Sequence, residues 1–133
     1  MADNKIEQYL IQMMLTNEQV DKNVWLLEDE DQCLQGVAIM YAEPLVVIRV
    51  EIMDVPNKDV QELYTKLLEL NATDIIHGAY ALDNENQKIV LIDTLQYDTM
   101  DFDDFRAVLE SFSLVLVDHY PVLSKFREKS EGV

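Results

Sequence analysis

The sequence predicts an α+β fold, with an antiparallel sheet of about five strands and three helices in the order α-β-β-β-α-β-β-α. Apolar residues recur every three to four positions in three segments and alternate along five others, and these are the periods of helices and strands. The connections between consecutive strands are short enough for antiparallel neighbours. The 133 residues include only three glycines and three prolines, and no linker-like stretch divides them. We therefore expect one domain spanning residues 1–133.

The first half of the chain contains one predicted helix and three predicted strands. The helix is indicated by four apolar residues at helical spacing, Ile6, Leu10, Met13 and Met14. Asp3 or Asn4 precedes it as a suitable N-cap. The strands are expected at residues 24–28, 36–41 and 45–53, because these runs are rich in strand-forming residues. Between the first two strands, the acidic run 28–31 predicts a solvated turn.

The third predicted strand has two different faces. Four β-branched residues alternate along it and indicate a core face: Val46, Ile48, Val50 and Ile52. The other face is apolar at both ends and charged in the middle, and it carries Leu45, Val47, Arg49, Glu51 and Met53. This second face is too apolar to be simply solvated and too polar for a sealed core.

The second half predicts a helix, a hairpin and a long final helix. The first of these helices starts near Lys58, with Asn57 as its N-cap and Asn71 near its C-cap. Strands at 75–82 and 88–95 flank a five-residue polar loop, which favours a β-hairpin. The final helix is expected to start at Asp101, since short acidic side chains cap free N–H groups. Pro121 is expected to kink or end it.

The charge of the chain restricts its partners and its compartment. Ten basic and 26 acidic residues give a net charge of −16, which disfavours both nucleic acid and anionic membranes as partners. The N-terminus lacks the pattern of a secretory signal, and no apolar run approaches the ~20 residues that span a bilayer. Cys33 is the only cysteine, so no internal disulfide can form. We expect a cytoplasmic protein.

The sequence carries no recognisable catalytic or metal-binding motif. The run 28–31 lacks the ligand spacing of an EF-hand, and Asp101, Asp103 and Asp104 are explained by helix capping. His77 and His119 belong to no zinc-binding pattern. We therefore predict no catalytic residue, metal or cofactor. A small hydrolase or metal-dependent enzyme, built from scattered acids and one of these histidines, is kept as an alternative.

The chain has more apolar surface than one small core requires. The mixed face of the third strand, the second face of the predicted hairpin and the Met-bearing first helix contribute to this surplus. Contiguous apolar patches of this kind usually mark protein–protein contacts, and methionine side chains adapt readily to different partners. The alternative is that the three helices cover both faces of the sheet.

The element order and the small acidic chain resemble the secretion-chaperone-like superfamily, which includes the Tir-type chaperones of type III secretion and the YbjN family. The resemblance extends over nearly the whole chain in element order. It is carried by hydrophobic patterns in six stretches: 67–71, 77–83, 89–92, 100–103, 109–112 and 119–123. Patterns of this kind support a fold better than a function.

The resemblance implies a bacterial, cytoplasmic, non-enzymatic protein that forms a homodimer. In such chaperones the dimer holds an extended segment of a secreted effector, and contacts fall on the first helix and on exposed sheet surface. Here these partner-binding or dimer residues would be Leu10, Met13, Met14, Leu45, Val47 and Arg49. Membership of the YbjN branch would instead imply a regulatory or stress-related domain without a role in secretion. The expected partner is a protein, either a secreted effector or a regulatory protein. An acidic mimic that occupies a basic protein groove is a further alternative.

Overall fold

The computed structural model describes residues 4–131, with side chains described for 4–127. Within this range the helices are α1 (Lys5–Gln12), α2 (Val60–Thr73), α3 (Phe102–Asp118) and α4 (Tyr120–Glu131). The strands are β1 (Asn17–Asp21), β2 (Val24–Asp29), β3 (Leu34–Ala42), β4 (Leu45–Asp54), β5 (Ala79–Asp83) and β6 (Lys88–Gln96). None of the described helices has the length and apolar character needed to cross a membrane.

The strands form one antiparallel sheet in the order β1-β2-β3-β4-β6-β5. The predicted α+β class is therefore confirmed. β4 pairs with β3 on one side and with β6 on the other, so the two halves of the chain meet along β4 and β6. β1 and β5 lie at the two edges of the sheet.

The sheet has six described strands where about five were expected. The additional strand is β1, which pairs with β2 although its sequence, NEQVD, is polar and exposed along its whole length. Residue alternation predicts a strand only when one face is buried. An edge strand without a buried face gives no such signal.

The helical region at the C-terminal end contains two helices where one was expected. α3 ends at Asp118, and α4 begins at Tyr120 with Pro121 in its first turn. Proline is well tolerated there, because the N–H that it lacks has no partner within the helix. Pro121 therefore ends one helix and starts the next.

The helix caps agree only partly with the predictions. The Asn4 side chain accepts hydrogen bonds from two backbone N–H groups of α1, whereas Asp3 lies outside the described residues. Asp101 caps α3 in a capping box, as predicted. α2 differs, since its N-cap is Asp59 and its C-cap is Asp74, in place of Asn57 and Asn71.

The core lies between the helices and one face of the sheet. Val46, Ile48 and Val50 of β4 are fully or almost fully buried, as the alternation predicts. Ile52 is only half-buried, and Met53 is buried in its place. The register shifts between Glu51 and Met53, and such an irregularity reverses the faces that follow it.

α1 is fixed to the connection between β6 and α3. The Lys5 ammonium donates hydrogen bonds to the carbonyl oxygens of Tyr97, Asp98 and Met100 at 2.9, 3.2 and 3.3 Å. The backbone N–H of Lys5 also donates to the Tyr97 hydroxyl at 3.1 Å. One lysine therefore joins the start of the described chain to a segment more than 90 residues later.

Candidate protein-binding surfaces

The predicted partner residues of α1 differ strongly in accessibility. Leu10 is 2% exposed and belongs to the core, so it does not form part of a surface. Met13 is half-buried, and Met14 is 83% exposed in a left-handed conformation directly after the helix. The end of α1 therefore presents one partly and one fully accessible methionine.

Leu45, Val47 and Arg49 lie together on the outer face of β4, opposite the core. All three are half-buried. The β3 residues paired with them are Ala42, Met40 and Ala38, so small and apolar side chains lie beside Val47 on that strand. The structure thus places the predicted mixed face next to apolar neighbours on the adjacent strand.

Arg49 pairs with an acid on the far strand of the sheet. Its guanidinium lies 3.1 Å from the carboxylate of Asp83 on β5, although β6 lies between the two strands. Val90 is the β6 residue between them, and it is 3% exposed although it faces outward. A hydrogen bond from the Asn86 side chain and then the Arg49 contact hold the pKa of Asp83 below its ordinary value. The ion pair therefore covers an apolar side chain of the outer face.

A second apolar surface, absent from the sequence prediction, lies between α2 and the edge strand β5. This α2–β5 groove has a volume of about 290 Å³. Leu68 and Leu82 line it and are 68% and 43% exposed, while Leu67 is buried beside them. The sequence does not single out this groove, because an apolar stripe about 100° wide can include two adjacent helical residues such as Leu67 and Leu68.

Asn71 closes part of the β5 edge next to this groove. Its side-chain oxygen accepts from the Tyr80 N–H at 2.8 Å, and its side-chain NH₂ donates to the Tyr80 carbonyl at 3.3 Å. These are the two backbone groups that an added strand would use. Asn71 thus has the role of a neighbouring strand and does not cap α2.

Behind the groove, Tyr80 and His119 form a buried polar contact. The Tyr80 hydroxyl lies 2.7 Å from Nδ1 of His119, and Asp74 Oδ2 lies 3.4 Å from Nε2. Burial raises the pKa of Tyr80 well above its ordinary value, so this hydroxyl keeps its proton and shares a hydrogen bond with Nδ1. The three groups join β5 to the end of α2 and to the α3–α4 junction.

Among residues 4–131, no three His, Cys, Asp or Glu side chains are grouped as metal ligands would be. Cys33 is exposed at a left-handed position of the β2–β3 turn. The surface features described above are the accessible methionines at the end of α1, one apolar groove and a mixed sheet face, and such features suit the binding of polypeptide.

The sequence model of the CesT_Tir_1 family matches residues 2–129. The chain belongs to the CesT_Tir_1 family. Membership of CesT_Tir_1 confirms the resemblance to secretion chaperones, and this fold is a chaperone-type binding fold, which is not an enzyme class. Among curated proteins, none matches this CesT_Tir_1 chain.

Solved structures show the same fold. YbjN from E. coli is 18% identical and superposes with a TM-score of 0.67, covering 89% of this chain and 90% of YbjN. A chain of the heterodimeric ExoU–SpcU complex of the Pseudomonas aeruginosa type III secretion system is 15% identical, with a TM-score of 0.62, and 88% and 96% of the two chains are covered. A protein from Methanothermobacter thermautotrophicus is 14% identical, with a TM-score of 0.65 and coverage of 95% and 99%. The predicted fold family is thus shared over most of the CesT_Tir_1 chain.

Proposed function

We propose that this protein is a non-enzymatic, cytoplasmic binding module that acts as one domain, forms a homodimer and holds a segment of a partner polypeptide on apolar surface. The observation that carries this proposal is the α2–β5 groove, in which Leu68 and Leu82 face solvent. Exposed leucines that line a groove usually mark an interface. Membership of a family with a chaperone-type binding fold supports the same conclusion.

The second copy of the chain docks at the α2–β5 groove. Asn71 occupies the backbone groups of Tyr80, so docking here uses side chains and does not extend the sheet. Residues 58–88, which contain α2 and β5, include Lys58, Lys66 and Lys88 as well as acids. Two copies therefore bring both signs of charge to this contact, which limits the repulsion between two strongly acidic chains.

The partner polypeptide contacts the end of α1 and the outer face of β4. Met13, Met14, Leu45, Val47 and Arg49 are the accessible residues there. The similarity to a chain of the heterodimeric ExoU–SpcU complex supports a polypeptide partner. On this basis the partner is a secreted effector or a regulatory protein.

The similarity to YbjN supports a second candidate, which is a regulatory domain without a role in secretion. The fold matches YbjN over 89% of this chain. Both candidates bind a protein, and they differ in its identity. Identification of the bound partner therefore decides between them.

The homodimer is tested by light scattering on a sizing column. We expect twice the chain mass of 15.4 kDa, and we expect Leu68→Asp to give monomers, because it places a charge in the apolar contact. Leu114→Asp, at another exposed leucine, on α3, is the control and should remain dimeric. A wild-type protein of 15.4 kDa would contradict the homodimer.

The partner is tested with a photo-crosslinking amino acid placed at Val47 or Met14 in the producing cells. We expect one discrete adduct from these positions and none from exposed Glu85. The crosslinked polypeptide, once purified, should bind the wild-type chain and bind Val47→Asp at least about tenfold more weakly. Circular dichroism checks that this variant is folded. The absence of any adduct, or equal binding to both proteins, would reject the binding module.

A further inference from the structure

A second groove lies between the end of α1, the β2–β3 turn and α3, and we call it the α1–α3 groove. Its volume is about 440 Å³. Leu34 and Leu109 are buried at its base, Met13 is half-buried, and Leu114 is 59% exposed. It therefore combines an apolar base with an accessible leucine on α3.

Gln32 joins the three walls of this groove. Its side-chain NH₂ donates to the backbone carbonyl of Met13 at 3.3 Å. The backbone carbonyl of Gln32 accepts from the Ser113 hydroxyl at 2.8 Å. Its backbone N–H donates to the buried carboxylate of Asp29 at 2.9 Å. Walls that are already fixed to one another lose little freedom when a ligand binds.

The charges around the α1–α3 groove are negative. Glu30 and Asp31 are exposed in the turn, and Glu110 lines the groove. The stretches that form the walls, 6–21, 23–48 and 107–124, contain no lysine or arginine. Arg106, one turn before Glu110 on α3, lies 3.0 Å from Asp103 and 4.0 Å from Glu110, so acids already surround it.

We propose that the α1–α3 groove binds a short amphipathic segment of a partner protein that carries leucine-like side chains together with lysine or arginine. The apolar side chains pack on Met13 and Leu114, above the buried base of the groove. The basic side chains face Glu30, Asp31 and Glu110. A second copy of this chain fits poorly, because its net charge is −16. The inference rests on the proposed function and names the chemistry of the bound segment.

Three synthetic peptides of equal length test the chemistry by fluorescence anisotropy with the full chain. One is an amphipathic Lys/Leu peptide, the second has Glu in place of Lys, and the third has Ser in place of Leu. We expect the Lys/Leu peptide to bind at least about tenfold more tightly than the other two, an equivalent of about 1.4 kcal/mol. Its affinity should fall as salt is raised. Equal binding of all three peptides would overturn the proposal.

Two variants test the location. Leu114→Asn removes the exposed leucine, and Glu30→Lys/Asp31→Lys reverses the charge of the turn. We expect each to weaken binding of the Lys/Leu peptide at least about tenfold. The controls are Ile76→Asn, at an exposed apolar residue between α2 and β5, and Glu85→Lys/Asp98→Lys, which changes the net charge equally at exposed sites elsewhere. Both control variants should bind the Lys/Leu peptide as tightly as the wild type does.

The outcomes separate this inference from the proposed function. If the peptide binds wild type and both groove variants equally, the α1–α3 groove is not the site, whatever partner is crosslinked from Val47 or Met14. If no partner is crosslinked but the peptide binds as described, the proposed function fails and the groove specificity stands.

Discussion

Gly78 lies where the chain enters β5, and its environment excludes a side chain for two reasons. Its φ is +93°, and a Cβ built there would lie 2.8 Å from a ring carbon of Phe112. Gly36 has a similar φ of +79° with nothing within 4 Å of its Cβ position, so Gly36→Ala isolates the backbone cost of about 1–2 kcal/mol. We expect Gly78→Ala to cost about 1–3 kcal/mol more, since a tightly packed site must also move.

Urea unfolding of both glycine variants measures this difference. Equal losses of unfolding free energy would show that Phe112 moves aside without cost.

The Tyr80 hydroxyl has a structural role that a phenylalanine cannot fill. Tyr80→Phe leaves Nδ1 of buried His119 without its hydrogen-bond partner, and an unsatisfied buried polar group costs about 1–3 kcal/mol. Tyr120→Phe removes a hydroxyl from an exposed ring and is the control. Chemical unfolding of the two variants should show a loss for Tyr80→Phe alone, and a matching loss in the control would contradict this role.

At the level of elements, the Asn71 side chain of α2 forms hydrogen bonds with the backbone of Tyr80 at the edge of the sheet. Asn71→Ala removes both hydrogen bonds to the Tyr80 backbone, which we expect to lower the free energy of unfolding by about 1–2 kcal/mol. It also exposes edge groups that favour association with another strand, so aggregation on heating should increase. Asn57→Ala, at an exposed asparagine expected to cap α2, should change stability by less than about 0.5 kcal/mol. Light scattering during a thermal ramp, together with urea unfolding, measures both effects.

Most elements could be predicted because their periodicity reports a buried face. Val46, Ile48 and Val50 alternate with outward-facing residues because one face of β4 packs on the helices. Asp101 precedes α3 because its side chain caps this helix. β1 was not predicted, because an exposed edge strand has no buried face. Ile52 was predicted to lie on the core face, because nothing in the sequence marks the register shift before Met53. Each failure arises where tertiary pairing, and not local pattern, determines the structure.

The candidate surfaces could be predicted only in part. Met14 and Val47 were expected to be accessible or partly accessible and are so, whereas Leu10 is buried although it belongs to the same helical stripe as Met14. Leu68 directly follows Leu67 in α2, and a sequence does not show which of two adjacent apolar residues a neighbouring element covers. Leu67 is buried whereas Leu68 is exposed and lines the α2–β5 groove, which only the three-dimensional structure reveals.

At the level of the whole molecule, buried and paired acids make stability depend on pH. Asp29 is buried in the turn predicted to be solvated, and its carboxylate accepts hydrogen bonds from the N–H groups of Thr16 and Gln32. These bonds hold the pKa of Asp29 below its ordinary value. The folded state therefore gains stability from the charged form above about pH 4, the ordinary pKa of aspartate, and loses it as the pH falls through the lower folded pKa.

Asp29→Asn tests this dependence. One of the two N–H groups loses its acceptor, so we expect a loss of about 1–3 kcal/mol at neutral pH. The difference in the free energy of unfolding between wild type and variant should become smaller in acid, where the wild-type carboxyl is protonated. Urea unfolding across the acid range measures the gap, with exposed Glu30→Gln as the control. A gap that stays constant with pH would contradict the role of the Asp29 charge.

The hydrogen bonds of Lys5 set an order for events during synthesis on the ribosome. α1 is synthesised well before residues 97–100, whose carbonyl groups fix Lys5. At about 5–20 residues per second, about 5–20 s pass between the synthesis of α1 and that of these acceptors. A chain that stops before Tyr97 lacks them, so we expect its first helix to be held less firmly than in the finished chain.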